Sequence, residues 1–166
     1  EVERIGDSAY LRCWDEYQRY SLKLTASDTN GVGRTLYRAT SEDALQRRVA
    51  AIEKAGLGHG WRDPEVGVGP SYEFEDPDGH VMALYYETEH YVPDDQDRPA
   101  IKNQASAYPG RGINVRRLDH INYLTADMAG VCDFTEQVMG GFTTEYIQLD
   151  DGEVGGHWFT YGQKSY

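Results

Sequence analysis

A histidine midway along what reads as a β-strand is the first residue of this chain that could do chemistry. The stretch Arg117-Leu118-Asp119-His120-Ile121-Asn122-Tyr123 is entered from an extended basic approach, Val115-Arg116-Arg117. Alternation of period two would set Leu118, His120 and Asn122 on one face and Asp119, Ile121 and Tyr123 on the other. An imidazole on an apolar face needs a partner in either protonation state. Three roles therefore compete for His120: a hydrogen-bonded structural histidine, a metal ligand and a general base.

Composition narrows the partners. The chain has 166 residues, 28 of them Asp or Glu against 16 Lys or Arg, for a formal net charge of -12. Such a field repels phosphate backbones and anionic lipid, so neither nucleic acid nor a membrane surface is expected as a partner. A hydrophobic share of 39% with 13 tyrosines is ample for a packed core. No run approaches the ~20 apolar residues of a spanning helix. Cys13 and Cys132 match no zinc or redox spacing, so a reduced, cytoplasmic setting is the expectation. The chain starts at Glu1 without an initiator Met and stops at Tyr166 inside a strand-like run, which reads as a piece of a longer protein.

The elements that would position His120 follow from pattern. Ser8–Trp14 and Tyr20–Leu24 read as a hairpin around the polar turn 15–19, and Val32–Arg38 as a further strand. Thr40 is expected to cap a helix with Glu42 and Asp43 in its first turn; Leu45, Val49 and Ile52 form its apolar stripe and Gly56 its stop. Residues 71–75 and 80–86 form a second hairpin across Asp76-Pro77-Asp78-Gly79, with His80 as a turn-packing or surface residue. Residues 87–112 carry three prolines, an acidic run at 94–97 and no periodicity, the signature of a solvated linker. Beyond the His120 strand, Asp127 would cap a helix striped by Met128, Val131, Phe134 and Val138 and ended by Gly140-Gly141. Strands at 142–149 and 157–161 then flank the turn 150–153.

Two stretches repeat. Val32–Tyr37 lies over Leu118–Tyr123, and each leads into a capped helix that ends in glycine. Both read as a βαβββ unit, so the fold class expected is α+β, built from repeated βαβββ modules that must pair to bury their sheets.

Arg117-Leu118-Asp119-His120-Ile121-Asn122, Asp76-Pro77-Asp78-Gly79-His80 and Lys102-Asn103-Gln104 resemble the type I extradiol catechol dioxygenases of the vicinal oxygen chelate superfamily. The resemblance runs from about residue 8 to 166. The Leu-Asp-His motif with its following apolar residue and Asn is fairly specific, whereas Asp-Pro-Asp-Gly-His is shared across the superfamily.

The resemblance implies four modules in two domains, with residues 1–88 as part of an N-terminal metal-free domain, 89–112 as the linker and 113–166 as the first part of the catalytic domain. It implies Fe(II) held by two His and one Glu, of which His120 is the first; the other two would lie beyond residue 166. At the equivalent place in the preceding module stands Arg34, and Ala83 stands where its carboxylate would be. A guanidinium cannot ligate a cation and Ala offers no oxygen. The family's acid/base histidine aligns with Tyr166, a departure, since a phenol of pKa near 10 is a poor base at neutral pH. Trp158 aligns with a wall of the substrate pocket, although ordinary core packing would suit it equally.

The implied activity is extradiol cleavage of a catecholic diol by O2, giving a 2-hydroxymuconic semialdehyde-type product, by an enzyme expected to be a homo-oligomer. This chain alone is expected to be inactive. Two rivals within the superfamily stay open, a glyoxalase-type isomerase and a metal-free binding protein.

Overall fold

A computed structural model describes residues 2–162. The chain divides into two compact units, each assembled from separate stretches. One takes the chain up to Gly31, Glu65–Gly69 and Glu87–Asn122; the other takes Val32–Pro64, Pro70–Tyr86 and the chain from Tyr123 onward.

The first unit holds a three-stranded antiparallel meander, β1 (Val2–Ile5), β2 (Ser8–Leu11) and β3 (Leu22–Thr25). The hairpin expected from sequence is β2–β3, with Leu11 opposite Leu22. The additional strand β1 carries too few apolar residues to announce itself. Residues 87–112 do not hang free of this unit. Tyr91 N–H donates to the Tyr17 carbonyl, and Ala105 N–H donates to the Asp15 carboxylate. Ala105 and Ser106 are buried, while the acidic run 94–97 is exposed and holds one 3₁₀ turn over Asp95–Asp97.

The second unit holds a complete βαβββ module: β4 (Thr35–Arg38), α1 (Glu42–Ala55), β5 (Gly58–Arg62), β6 (Ser71–Glu75) and β7 (Val81–Tyr85). The strand order is β4-β7-β6-β5, with β4 parallel to β7 and the other pairs antiparallel. A parallel pair needs a crossover, and α1 begins it. Leu45, Val49 and Ile52 bury the stripe of α1 against Tyr72, Phe74, Met82 and Leu84, alternate residues of β6 and β7. Ile52 and Phe74 are wholly buried, worth roughly 1.5–3 kcal/mol each in transfer alone. Ser41, not Thr40, caps the helix: its Oγ accepts the Ala44 N–H. The parallel ladder is the reason. Ala39 N–H still donates to the Tyr85 carbonyl, so the chain is not free to turn until one residue later than the sequence suggests.

The second module is partly formed. Asp127 caps α2 (Met128–Asp133) through Gly130 N–H, as expected. The next turn is a π-helix over Phe134–Val138, with Met139 N–H donating to the Phe134 carbonyl. One extra residue per turn rotates the stripe. Phe134, Thr135 and Met139 are therefore buried, while Val138 is only half-buried. β8 (Phe142–Gln148) and β9 (Val154–Thr160) close as a hairpin.

The stretch around His120 departs from the reading of the sequence. Residues 113–125 have no ladder partner and form no strand. In the complete module β4 is held by β7. The stretch around His120 is held instead by backbone hydrogen bonds to Val115 and Arg116 and by side-chain contacts. Arg34 likewise lies just ahead of β4 rather than within it. Among the described residues no helix is long and apolar enough to cross a membrane.

Candidate metal centre

The approach to His120 is held from below by three residues of the first unit. Trp14 N–H donates to the Val115 carbonyl (3.1 Å) and Asp15 N–H to that of Arg116 (3.0 Å), so the two backbones run side by side. The buried Asp15 carboxylate takes Arg116 Nε at 2.8 Å and lies 3.7 Å from Arg117 Nη2. Glu16 Oε1 accepts the Leu118 N–H at 2.6 Å. The basic approach read from sequence is thus a set of anchors for the chain leading to His120.

His120 itself is exposed, its side chain 72% accessible. Its Nδ1 lies 2.8 Å from Asp119 Oδ2. Neighbours in a true strand point to opposite faces, so this contact marks the irregular backbone directly. An ionised carboxylate can only accept. In the tautomer with its hydrogen on Nδ1 the ring donates to Asp119, and Nε2 then carries the free lone pair. That is the arrangement in which a carboxylate orients a ligating histidine. His120 fits a metal as one ligand. Among the described residues, however, no group of three His, Cys, Asp or Glu could hold an ion.

Trp158 lies on β9, half-exposed. Its neighbour His157 faces the other way, toward α2. Cys132 Sγ is 2.8 Å from His157 Nδ1, and Thr143 Oγ1 is 2.8 Å from Nε2. Thr143 in turn donates to Glu136. Burial, helped by Glu136 and Asp133, pushes the Cys132 thiol above its ordinary pKa, so it stays protonated and can donate to the ring. Since successive residues of a strand alternate, the indole of Trp158 takes the opposite face of β9 from His157. Tyr166 lies outside the described residues.

Two features escaped sequence reasoning. One is this Cys132–His157 pairing, whose 25-residue separation fits no motif. The other is a tyrosine cluster in the second unit. Tyr37 and Tyr123 meet hydroxyl to hydroxyl at 3.3 Å, and the Tyr161 ring packs edge-on against Tyr37 with centroids 5.4 Å apart. Equal register in the two repeats, Tyr37 and Tyr123, was the available signal.

No family model matches the chain, but relatives do. It is 40% identical over 157 residues to the metapyrocatechase of Geobacillus stearothermophilus, covering 95% of this chain and 48% of that protein. It is 28% identical over 162 residues to a manganese-dependent 2,3-dihydroxybiphenyl 1,2-dioxygenase of Geobacillus genomosp. 3, covering 96% of this chain and 51% of that one. Over nearly its whole length the chain is similar to extradiol dioxygenases. Homoprotocatechuate 2,3-dioxygenase from Arthrobacter globiformis superposes with a TM-score of 0.80 at 26% identity, over 96% of this chain and 47% of that structure. The 2,3-dioxygenase LapB from Pseudomonas sp. KL28, at 24% identity and a TM-score of 0.77, covers 92% of this chain and 54% of its own and shows the shared fold. The fold is that of the vicinal oxygen chelate superfamily. The chain spans about half the length of the curated relatives it matches.

Proposed function

We propose that, at the full length of its relatives, this protein opens catechol-type rings with O2 beside the two hydroxyls, at a non-haem metal of which His120 is one ligand. The observation that carries the reading is the 40% identity to a metapyrocatechase over nearly the whole chain. Fe(II) is the metal we assign; the manganese-dependent relative makes Mn(II) its competitor. The bound metal would supply the redox coupling between the diol and O2. Asp119 holds the His120 ring so that Nε2 faces outward, and Trp158 offers its indole face as a wall for the aromatic substrate. Tyr166 takes the position of the proton relay. An ordinary phenol at neutral pH gives a proton more readily than it takes one, so we assign it donation to the substrate. The product class is a 2-hydroxymuconic semialdehyde. We place residues 1–88 in a metal-free domain, 89–112 between the domains and 113–166 in the catalytic one, in a cytoplasmic homo-oligomer.

The test is His120→Ala at the relatives' full length. Iron content and yellow product from catechol are expected to vanish, with the melting temperature nearly unchanged because the side chain is exposed. Arg34→Ala, at the equivalent place in the metal-free module, is expected to lower stability and leave iron alone. Full iron occupancy in His120→Ala would overturn the assignment.

A further inference from the structure

Downstream of His120 the chain is gripped by a turn from the other module. Asp76, almost wholly buried, folds the Asp76-Pro77-Asp78-Gly79-His80 turn onto itself. Its Oδ1 accepts the N–H groups of Asp78 (3.0 Å) and His80 (2.9 Å), and its Oδ2 takes His80 Nδ1 at 2.7 Å. Gly79, at φ 87°, makes the tight reversal that any Cβ would resist. The turn so fixed presents two side chains to the segment 123–126. The His80 ring meets the Tyr123 ring edge-on with centroids 5.0 Å apart. Asp78 Oδ2 accepts the Ala126 N–H at 2.9 Å, and the Thr125 hydroxyl also donates to this carboxylate. Those two hydrogen bonds, the Ala126 one first, hold the Asp78 carboxyl below its ordinary pKa. Tyr37 adds the hydroxyl contact to Tyr123 from β4.

We infer that Asp78 and His80 are positioning residues for the metal ligand: the turn clasps the joint between the His120 stretch and α2, and so sets where His120 stands. Tyr123 follows His120 by three residues, and the intervening Ile121 and Asn122 are exposed. The Asp15 and Glu16 contacts fix the chain two residues before His120, at Leu118, and the clasp fixes it three residues after. An exposed imidazole on a stretch without ladder partners needs both anchors to be held within the fraction of an ångström that ligation demands. The turn is thereby given a role beyond joining β6 to β7. The inference rests on the proposal that His120 is a ligand.

The experiment uses the protein at its relatives' full length and anaerobic equilibrium dialysis with Fe(II), alongside hydrogen exchange of residues 117–127. Asp78→Ala is expected to speed exchange of the Ala126 amide and raise the Fe(II) Kd about tenfold or more, the usual effect of losing an outer support of a ligating histidine. Asp78→Asn, which keeps an accepting oxygen, is expected to restore most of the affinity. Thr125→Val, a milder lesion at the same carboxylate, is expected to shift Kd the same way by less. Ser41→Ala is the control for mere destabilisation: it removes a helix cap in the same unit and is expected to lower the melting temperature without touching Kd. Wild-type Fe(II) affinity in Asp78→Ala, or an equal loss in Ser41→Ala, would overturn the inference. If His120→Ala also binds Fe(II) normally, the fault lies instead with the ligand assignment; if it loses the metal while Asp78→Ala does not, the clasp alone fails.

Discussion

Glu73 is shared by two guanidiniums. Arg34 Nη1 reaches its Oε2 at 3.2 Å, and Arg62 reaches its Oε1 with Nη2 at 2.5 Å and Nε at 3.2 Å. Arg62 foremost, then Arg34, hold its carboxyl below the ordinary range. A folded-state pKa below the unfolded one contributes stability that is present above about pH 4.3 and is lost as pH falls through the folded value. Glu73→Gln is therefore expected to be less stable at pH 7 and to lose less on acidification, checked by urea midpoints from pH 7 to 3. The tyrosine cluster acts at the other end of the scale. Burial pushes Tyr161 up to about 12, with Tyr123 adding to it, and pushes Tyr37 higher still. Here the folded pKa is raised, so the contribution is complete below about pH 10 and fades as pH climbs toward 12. Tyr161→Phe is expected to flatten the fall of melting temperature between pH 9.5 and 11.5, because a ring without a hydroxyl has nothing to ionise.

Helix ends and stripes decide the next scale up. Ser41→Ala deprives Ala44 N–H of its acceptor and is expected to cost about 1 kcal/mol, measured by chemical denaturation. Thr40→Ala at the neighbouring residue, which does not cap, is expected to cost much less. The pair shows what was legible from the sequence. The stripe Leu45, Val49, Ile52 and the stop at Gly56 could be read because they depend on local periodicity and on a left-handed residue, φ 74°. The cap was misplaced by one because its position depends on how far β4 stays paired with β7, some forty residues on. The π-turn at Phe134–Val138 was invisible for a similar reason: its rotated stripe answers to what α1, Phe74 and the glycine pair demand. His120 stood out by type alone. Its anchors Asp15, Glu16 and Asp78 did not, since each is an ordinary surface carboxylate until the chain brings it to its partner.

At the scale of the molecule, a complete βαβββ module and an incomplete one differ in what holds their first strand. Thr35–Arg38 is locked by a four-residue parallel ladder to β7, whereas the approach to His120 has two backbone hydrogen bonds, from the Trp14 and Asp15 amides, and side-chain anchors. The same contrast governs metal binding. An octahedral ion such as Fe(II) is held by protein only when several first-shell groups displace water together, since one imidazole gains too little to compete with a full hydration shell. This chain brings one oriented imidazole and, among the described residues, no cluster of three ligating groups. The 166-residue chain by itself is therefore expected to bind no stoichiometric iron and to give no yellow product from catechol. Metal analysis after anaerobic loading and desalting checks it, with the full-length protein loaded in parallel. About one iron per 166-residue chain would overturn this expectation and show that residues other than those assigned can complete a site.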